Sequence, residues 1–109
     1  MARYAQHLAG RNYGKLGIAI DSAPKLTIHG FETTHALNRA VGRDITTAER
    51  LMTVRDPVVV LSQRDGRQYL FLSERGVVVL TAEGYLVTTY GVSDFDGKIH
   101  AILAEAGVS

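Results

Sequence analysis

The chain has 109 residues, of which 46% are hydrophobic, 21% are charged and none is cysteine. This length and composition predict a single globular domain over residues 1–109. The lack of cysteine excludes disulfides, thiolate zinc sites and cysteine nucleophiles. No apolar run is long enough to span a membrane, and the first residues lack the apolar core of a signal peptide, so we expect no membrane anchor.

Charge is unevenly distributed along the chain. Residues 1–55 contain eight Lys or Arg and four acids, a net +4, whereas residues 56–109 contain four Lys or Arg and seven acids, a net −3. Clustered cations neutralise phosphates and release counterions, so the basic half allows one local phosphate site. The near-neutral total argues against a long nucleic-acid groove, and a chance imbalance on a solvated surface is the alternative explanation.

The first part of the chain has the weakest hydrophobic periodicity. Residues 1–24 have no clear periodicity because glycines interrupt their apolar positions, so the predicted core covers residues 25–106. Residues 25–29 alternate polar and apolar side chains, which predicts a short strand. A helix is predicted over residues 35–42, with Thr33 or Thr34 as its N-cap.

The remainder of the chain has stronger signals. Thr46 and Glu49 form a capping box that predicts a second helix over about 47–54. Four strands joined by tight turns follow at 58–63, 67–73, 77–81 and 85–90, and such turns require an antiparallel meander. A last helix is predicted over about 94–106. The expected fold is α+β, with N-terminal helices, a four-stranded antiparallel meander and a C-terminal helix, the helices covering one face of the sheet.

Several kinds of chemistry are disfavoured by the motifs. The four histidines include no pair at ligand spacing on one helix. Asp94, Asp96 and Glu105 have the spacing of calcium-loop ligands, but Ile99 occupies the position that requires glycine. The chain has no Walker loop, nucleophile elbow or dinucleotide fingerprint. We therefore expect no metal and no cofactor.

Two patterns bring polar side chains together. A spacing of four along the first predicted helix puts three side chains in one stripe: His35, Arg39 and Arg43. Alternation along the fourth strand puts three on one face: Leu86, Thr88 and Tyr90. Each of these residues alone also has an ordinary structural explanation, as a helix-surface charge or a common strand residue.

Together, these groups suit metal-free cleavage of RNA. The ribose 2′-hydroxyl can be the nucleophile, so no activated serine or cysteine is needed. A histidine near neutral pKa suits proton transfer, and an arginine can hold a phosphate by two parallel hydrogen bonds. Threonine and tyrosine hydroxyls can donate to the non-bridging oxygens of the phosphorane.

The chain also resembles the Barnase–EndoU–colicin–RelE superfamily of small ribonucleases, which includes toxin domains of contact-dependent inhibition and other polymorphic toxin systems. The resemblance covers about residues 31–90. It is carried by the segments Phe31–Arg39, Ile45-Thr46, Asp56–Val59, Tyr69–Phe71, Val77–Leu80 and Gly84–Tyr90.

This resemblance implies a catalytic His35, a phosphate-binding Arg39, and Thr88 with Tyr90 at the cleavage centre. Some relatives use two histidines and a lysine, which implies a further catalytic role for His29 and a substrate-binding role for Lys25. Arg43 is an additional candidate for substrate binding because it continues the stripe of His35 and Arg39. The assignment of general base and general acid stays open.

The resulting hypothesis is a metal-independent endoribonuclease toxin domain that cleaves RNA, with tRNA as one candidate substrate. Such a domain is expected to be delivered as part of a larger secreted effector, to act in the cytoplasm of a target cell, and to be neutralised by a cognate immunity protein that presents acidic groups. The alternative is a non-catalytic RNA- or protein-binding module of a phage or toxin–antitoxin system.

Overall fold

The computed structural model describes residues 4–31 and 44–108. In these ranges the chain forms six strands and two α-helices. The elements are β1 (Ile18–Ala19), β2 (Gly30–Phe31), α1 (Thr47–Arg55), β3 (Val59–Gln63), β4 (Gln68–Leu72), β5 (Gly76–Thr81), β6 (Tyr85–Gly91) and α2 (Gly97–Glu105). The predicted α+β class is confirmed. The helix predicted over residues 35–42 lies outside the described residues.

The strands form one mixed sheet in the order β1-β3-β4-β5-β6-β2. Neighbours from β3 to β6 are antiparallel, β1 adds an antiparallel edge beside β3, and β2 adds a parallel edge beside β6. The prediction of a four-stranded antiparallel sheet is therefore wrong in size and in type. The two edge strands have two residues each, which is too short for alternation to be recognised.

Both faces of this sheet are covered. On one side, which we call the front face, Leu61, Leu70, Val77 and Val79 pack in a cluster with residues of α2 and of the N-terminal segment. On the other side, the back face, Val60, Phe71, Val78, Leu80 and Leu86 pack against Val54 of α1 and residues 20–28. The prediction that helices cover one face is corrected, because α1 and α2 belong to opposite layers.

The ends of the two helices follow from their caps. Thr46 accepts a hydrogen bond from the Glu49 amide at 3.1 Å, and the Glu49 carboxylate accepts one from the Thr46 amide at 2.9 Å, which confirms the capping box. These bonds lower the pKa of Glu49. Asp96 caps α2 by accepting from the Ile99 amide at 3.0 Å. Because Asp96 is the cap, α2 begins at Gly97, three residues later than predicted.

No helix in the described ranges has the length and apolarity that crossing a bilayer requires.

The N-terminal segment is attached to the sheet by Tyr4. Its phenol donates to the Ile20 carbonyl at 2.7 Å and accepts from the Val60 amide at 3.1 Å, so it links the segment to β3. Ala5 and Leu8, which follow it, are buried in the front-face core. Burial raises the pKa of Tyr4, so the stability that this phenol contributes is present below about pH 10 and is lost at more alkaline pH.

We expect Tyr4→Phe to lower the free energy of unfolding by about 1–3 kcal/mol, because a strand amide and a carbonyl lose their partner in a partly buried site. Urea denaturation followed by circular dichroism measures this difference. Tyr85→Phe is the matched control, since Tyr85 is exposed, and it should change stability by less than about 0.5 kcal/mol. Equal effects of the two substitutions would contradict the assigned role of Tyr4.

Candidate functional site

The geometry of β6 is set by a bulge in its pairing with β5. Val79 pairs with Thr88, but the next residue of β5, Leu80, pairs with Leu86, so Val87 is an extra residue on β6. An inserted residue reverses the alternation of side chains beyond it. As a result Leu86 lies on the back face, whereas Thr88 and Tyr90 lie on the front face. The prediction that Leu86 shares a face with Thr88 is wrong, although the two hydroxyl residues do share one.

Thr88 has an unusual hydroxyl. Its Oγ1 is shielded from solvent and is without a hydrogen-bond partner, the one such side-chain atom in the described part of the chain. A buried hydroxyl without a partner costs about 1–3 kcal/mol and calls for an explanation. The neighbouring Thr89 points to the back face, is fully buried, and donates to the Val77 carbonyl at 2.8 Å. Thr88 is therefore the threonine of this pair whose hydroxyl remains available to bind something else.

Tyr90 is half-buried at the front end of β6. Its ring meets Phe95 edge to face, with centroids 6.3 Å apart and planes at 83°. Phe95 in turn meets His100 of α2, with centroids 5.8 Å apart. This aromatic row brings an exposed imidazole to the side of the sheet that carries Thr88 and Tyr90.

His100 was not among the functional residues predicted from the sequence. It was considered only as a metal ligand, because nothing in a helical pattern shows which strand residue a helix will approach. A signal was nevertheless present. Phe95 comes immediately before the cap residue Asp96, and such residues often pack against the helix that follows.

His29 lies at the opposite end of β6, and Lys25 lies beside the helix α1. The His29 amide donates to the Gly84 carbonyl at 2.9 Å, its Nε2 is 3.3 Å from the Thr27 hydroxyl, and its ring centroid is 6.3 Å from that of Tyr85. Both side chains are exposed. Tyr85 and Tyr90 are five residues apart on the strand, or about 16 Å. The structure therefore does not bring His29 together with Tyr90.

His35, Arg39 and Arg43 lie outside the described residues, but the chain on either side of them is anchored to β6. Phe31 pairs with Leu86. Asp44 lies so close to Gly91 that its carbonyl occupies the space of a Cβ there. The two anchors are about 16 Å apart along the strand, and Thr88 and Tyr90 lie between them.

A second polar cluster surrounds Glu105 at the end of α2. Its carboxylate accepts from Arg11 at 2.6 Å and from the Tyr13 phenol at 3.1 Å, and its carbonyl is 2.9 Å from His7 Nε2. Burial and the adjacent carboxylate raise the pKa of Tyr13. Every member has a partner within the cluster, so its evident role is to hold the N-terminal segment against α2.

Part of this chain is similar in sequence to a known nuclease. The tRNA nuclease WapA of Bacillus subtilis (strain 168) is 33% identical to this chain over an alignment of 82 residues, which covers 72% of the chain. The chain spans 3% of the length of that protein. No protein-family model matches the chain, and no solved structure matches it. A distant homologue of this domain is therefore a tRNA nuclease.

Proposed function

We propose that this domain is a metal-independent endoribonuclease toxin. The observation that carries the proposal is the unpartnered hydroxyl of Thr88, which lies on the same face of β6 as Tyr90. The similarity to a tRNA nuclease supports RNA as the substrate class and makes tRNA the first substrate to test.

In the proposed reaction the ribose 2′-oxygen attacks phosphorus and the bond to the 5′-oxygen breaks. His35 takes part in proton transfer, either removing the 2′-hydroxyl proton or protonating the leaving oxygen. Arg39 binds a phosphate oxygen, with Arg43 as a further contact to the substrate backbone. The hydroxyls of Thr88 and Tyr90 donate to the non-bridging oxygens as negative charge develops there.

The anchors on β6 support this assignment. Residues 32–43 carry His35, Arg39 and Arg43, and they connect Phe31 beside Leu86 to Asp44 beside Gly91. Thr88 and Tyr90 lie between these two points, so both ends of the connecting segment are attached to the strand that carries the two hydroxyls. His29 is assigned an accessory role in binding the substrate further along the strand, whereas Lys25 lies beside α1, away from this strand.

The hydroxyl of Thr88 is also suited to a hydrogen bond that strengthens as the transition state forms. This hydroxyl has no partner among the described residues and is shielded from solvent, so the proposed role requires that substrate binding uncovers it. Once it donates to a phosphate oxygen, the cost of an unmade hydrogen bond is recovered. Energy that is released as the phosphorane forms increases kcat rather than only lowering KM.

The proposed function also includes how the domain reaches its target and how it is inhibited. As a toxin, the domain is delivered as part of a larger secreted effector and acts in the cytoplasm of the target cell. A cognate immunity protein that presents acidic groups to cationic side chains of the domain neutralises it.

The products of cleavage test the chemistry directly. We expect purified protein, incubated with tRNA in excess chelator, to leave a 2′,3′-cyclic phosphate or its 3′-phosphate product together with a free 5′-hydroxyl. Mass spectrometry of the fragments identifies these ends. Activity should change across roughly pH 5–8, where imidazole titrates.

A substrate with a 2′-O-methyl group at the cut site is the control and should stay intact. Ends that carry a 5′-phosphate, or cleavage of DNA at a similar rate, would contradict the mechanism. Intact RNA that nevertheless shifts in a gel would favour the alternative, a non-catalytic binding module.

A further inference from the structure

A groove lies on the back of the molecule, between α1 and the segment of residues 23–28, which we call the strap. It has a volume of about 800 Å³. Its walls are mainly aliphatic, with Leu26 and Ile28 from the strap and Leu51, Met52 and Val54 from α1. Apart from Lys25, none of the described residues that line it was predicted from the sequence to have a function.

The outer wall of the groove exposes large apolar side chains. Leu51 is 54% exposed and Met52 is 39% exposed, whereas Val54 of the same helix is buried against the back face of the sheet. A surface helix usually places polar residues on its solvent side. Neighbouring apolar residues that remain exposed next to a concave groove are typical of an interaction surface.

The charged residues that line the groove in the described part of the chain are all positive. Lys25 lies on the strap wall and Arg55 on the helix wall, and no acidic residue is among the described residues that line the groove. Arg55 is 3.5 Å from Asp56, but the Arg55 side chain is 77% exposed, so this ion pair is weak and leaves the guanidinium accessible. An occupant that complements the groove therefore combines apolar side chains with flanking carboxylates.

The lining favours a protein over a nucleic acid as the occupant. Proteins that bind single-stranded RNA usually stack its bases on aromatic side chains, and no aromatic residue is among those that line this groove in the described part of the chain. Aliphatic grooves accept the apolar face of an amphipathic helix, with anchors spaced three or four residues apart.

We propose that the groove between α1 and the strap binds an acidic amphipathic helix of a protein partner. The groove lies on the back face, whereas Thr88 and Tyr90 lie on the front face. The partner helix therefore binds without covering those hydroxyls, and its binding does not depend on nuclease activity.

Selection from a displayed library tests this proposal. The library presents helices in which apolar, acidic, basic and neutral residues are all allowed on every face, and it is selected against the wild-type protein. We expect the selected peptides to combine Leu or Met anchors with flanking Asp or Glu. Fluorescence anisotropy with one synthetic peptide of the selected consensus then measures the dissociation constant for each variant.

We expect Leu51→Ser and Lys25→Glu each to weaken binding by about tenfold or more, because one removes an apolar anchor and the other reverses a charge. Ile18→Ser and Lys98→Glu are the matched controls, since Ile18 is exposed to a similar degree and Lys98 is an exposed cation of α2. Both controls should bind like the wild type. Circular dichroism confirms that each variant is folded.

Selected peptides that are basic, or whose binding is insensitive to both Leu51→Ser and Lys25→Glu, would overturn the proposal. A short single-stranded RNA that displaces the acidic peptide from the wild-type protein would also overturn it, because the groove would then be a nucleic-acid site. Loss of nuclease activity has no bearing on this measurement, so the result is independent of the proposed function.

Discussion

We expect His35→Ala to slow RNA cleavage by about 100- to 10,000-fold, which is the usual effect of removing a group that transfers a proton in the transition state. The measurement is single-turnover cleavage of tRNA at saturating protein, which separates the chemical step from binding and product release. The residual rate should lose most of its dependence on pH between roughly 5 and 8, because the titrating imidazole is gone.

His29→Ala and His100→Ala are matched controls for this experiment. His29 lies beside Tyr85 at the far end of β6, and the ring of Phe95 lies between those of His100 and Tyr90. Each control removes one exposed imidazole and should retain most of the cleavage rate. Near-wild-type cleavage by a folded His35→Ala protein would overturn the assignment of His35, and the control with the larger loss would then identify the proton-transfer residue.

The second large effect is expected at β6. We expect Thr88→Val to lower kcat by about 100- to 1,000-fold, as the removal of one oxyanion-binding donor does in other enzymes. The substitution keeps the β-branched shape and removes a buried hydroxyl without a partner, so stability should be retained or rise by up to about 1–3 kcal/mol. Tyr90→Phe should act in the same direction. In both variants kcat should fall more than KM rises, because the bonds strengthen as the phosphorane forms.

Thr89→Val is the control, and the structure shows how to interpret it. The Thr89 hydroxyl donates to the Val77 carbonyl in the core, so its removal should cost about 1 kcal/mol of stability. Turnover by the folded fraction should be unchanged, because Thr89 lies on the back face. If Thr89→Val slows turnover of the folded protein and Thr88→Val does not, the assignment of the active face is wrong.

Much of the local structure was predictable because its causes are local. The helix at Thr47–Arg55 follows from the capping box of Thr46 and Glu49, which are three residues apart. The strands β3 to β6 follow from their apolar runs and from glycines at the turns. Even there, the Asp65-Gly66 signal located the hairpin without giving its length, since Arg64 and Asp65 also adopt positive φ and the loop spans residues 64–67.

The rest depends on contacts between distant parts of the chain. No local signal at Val87 indicates that it is the extra residue of a bulge, yet this one residue decides that Leu86 faces away from Thr88. The edge strands β1 and β2 exist because β3 and β6 offer them hydrogen bonds. Thr88 and Tyr90 were predicted to share a face, and they do. His100 was missed because its approach to Phe95 and Tyr90 depends on how α2 packs.

The cluster around Glu105 also determines the order in which the chain can fold. Glu105 is bonded to residues 92 to 98 positions earlier in the chain, so these contacts close a loop of almost the whole described chain. At ribosomal rates, His7, Arg11 and Tyr13 are made roughly 5–20 s before their partner exists. Contacts of such long range also slow folding. The last layer over the front face therefore forms only after α2 is synthesised, and an emerging chain stays incompletely folded until then.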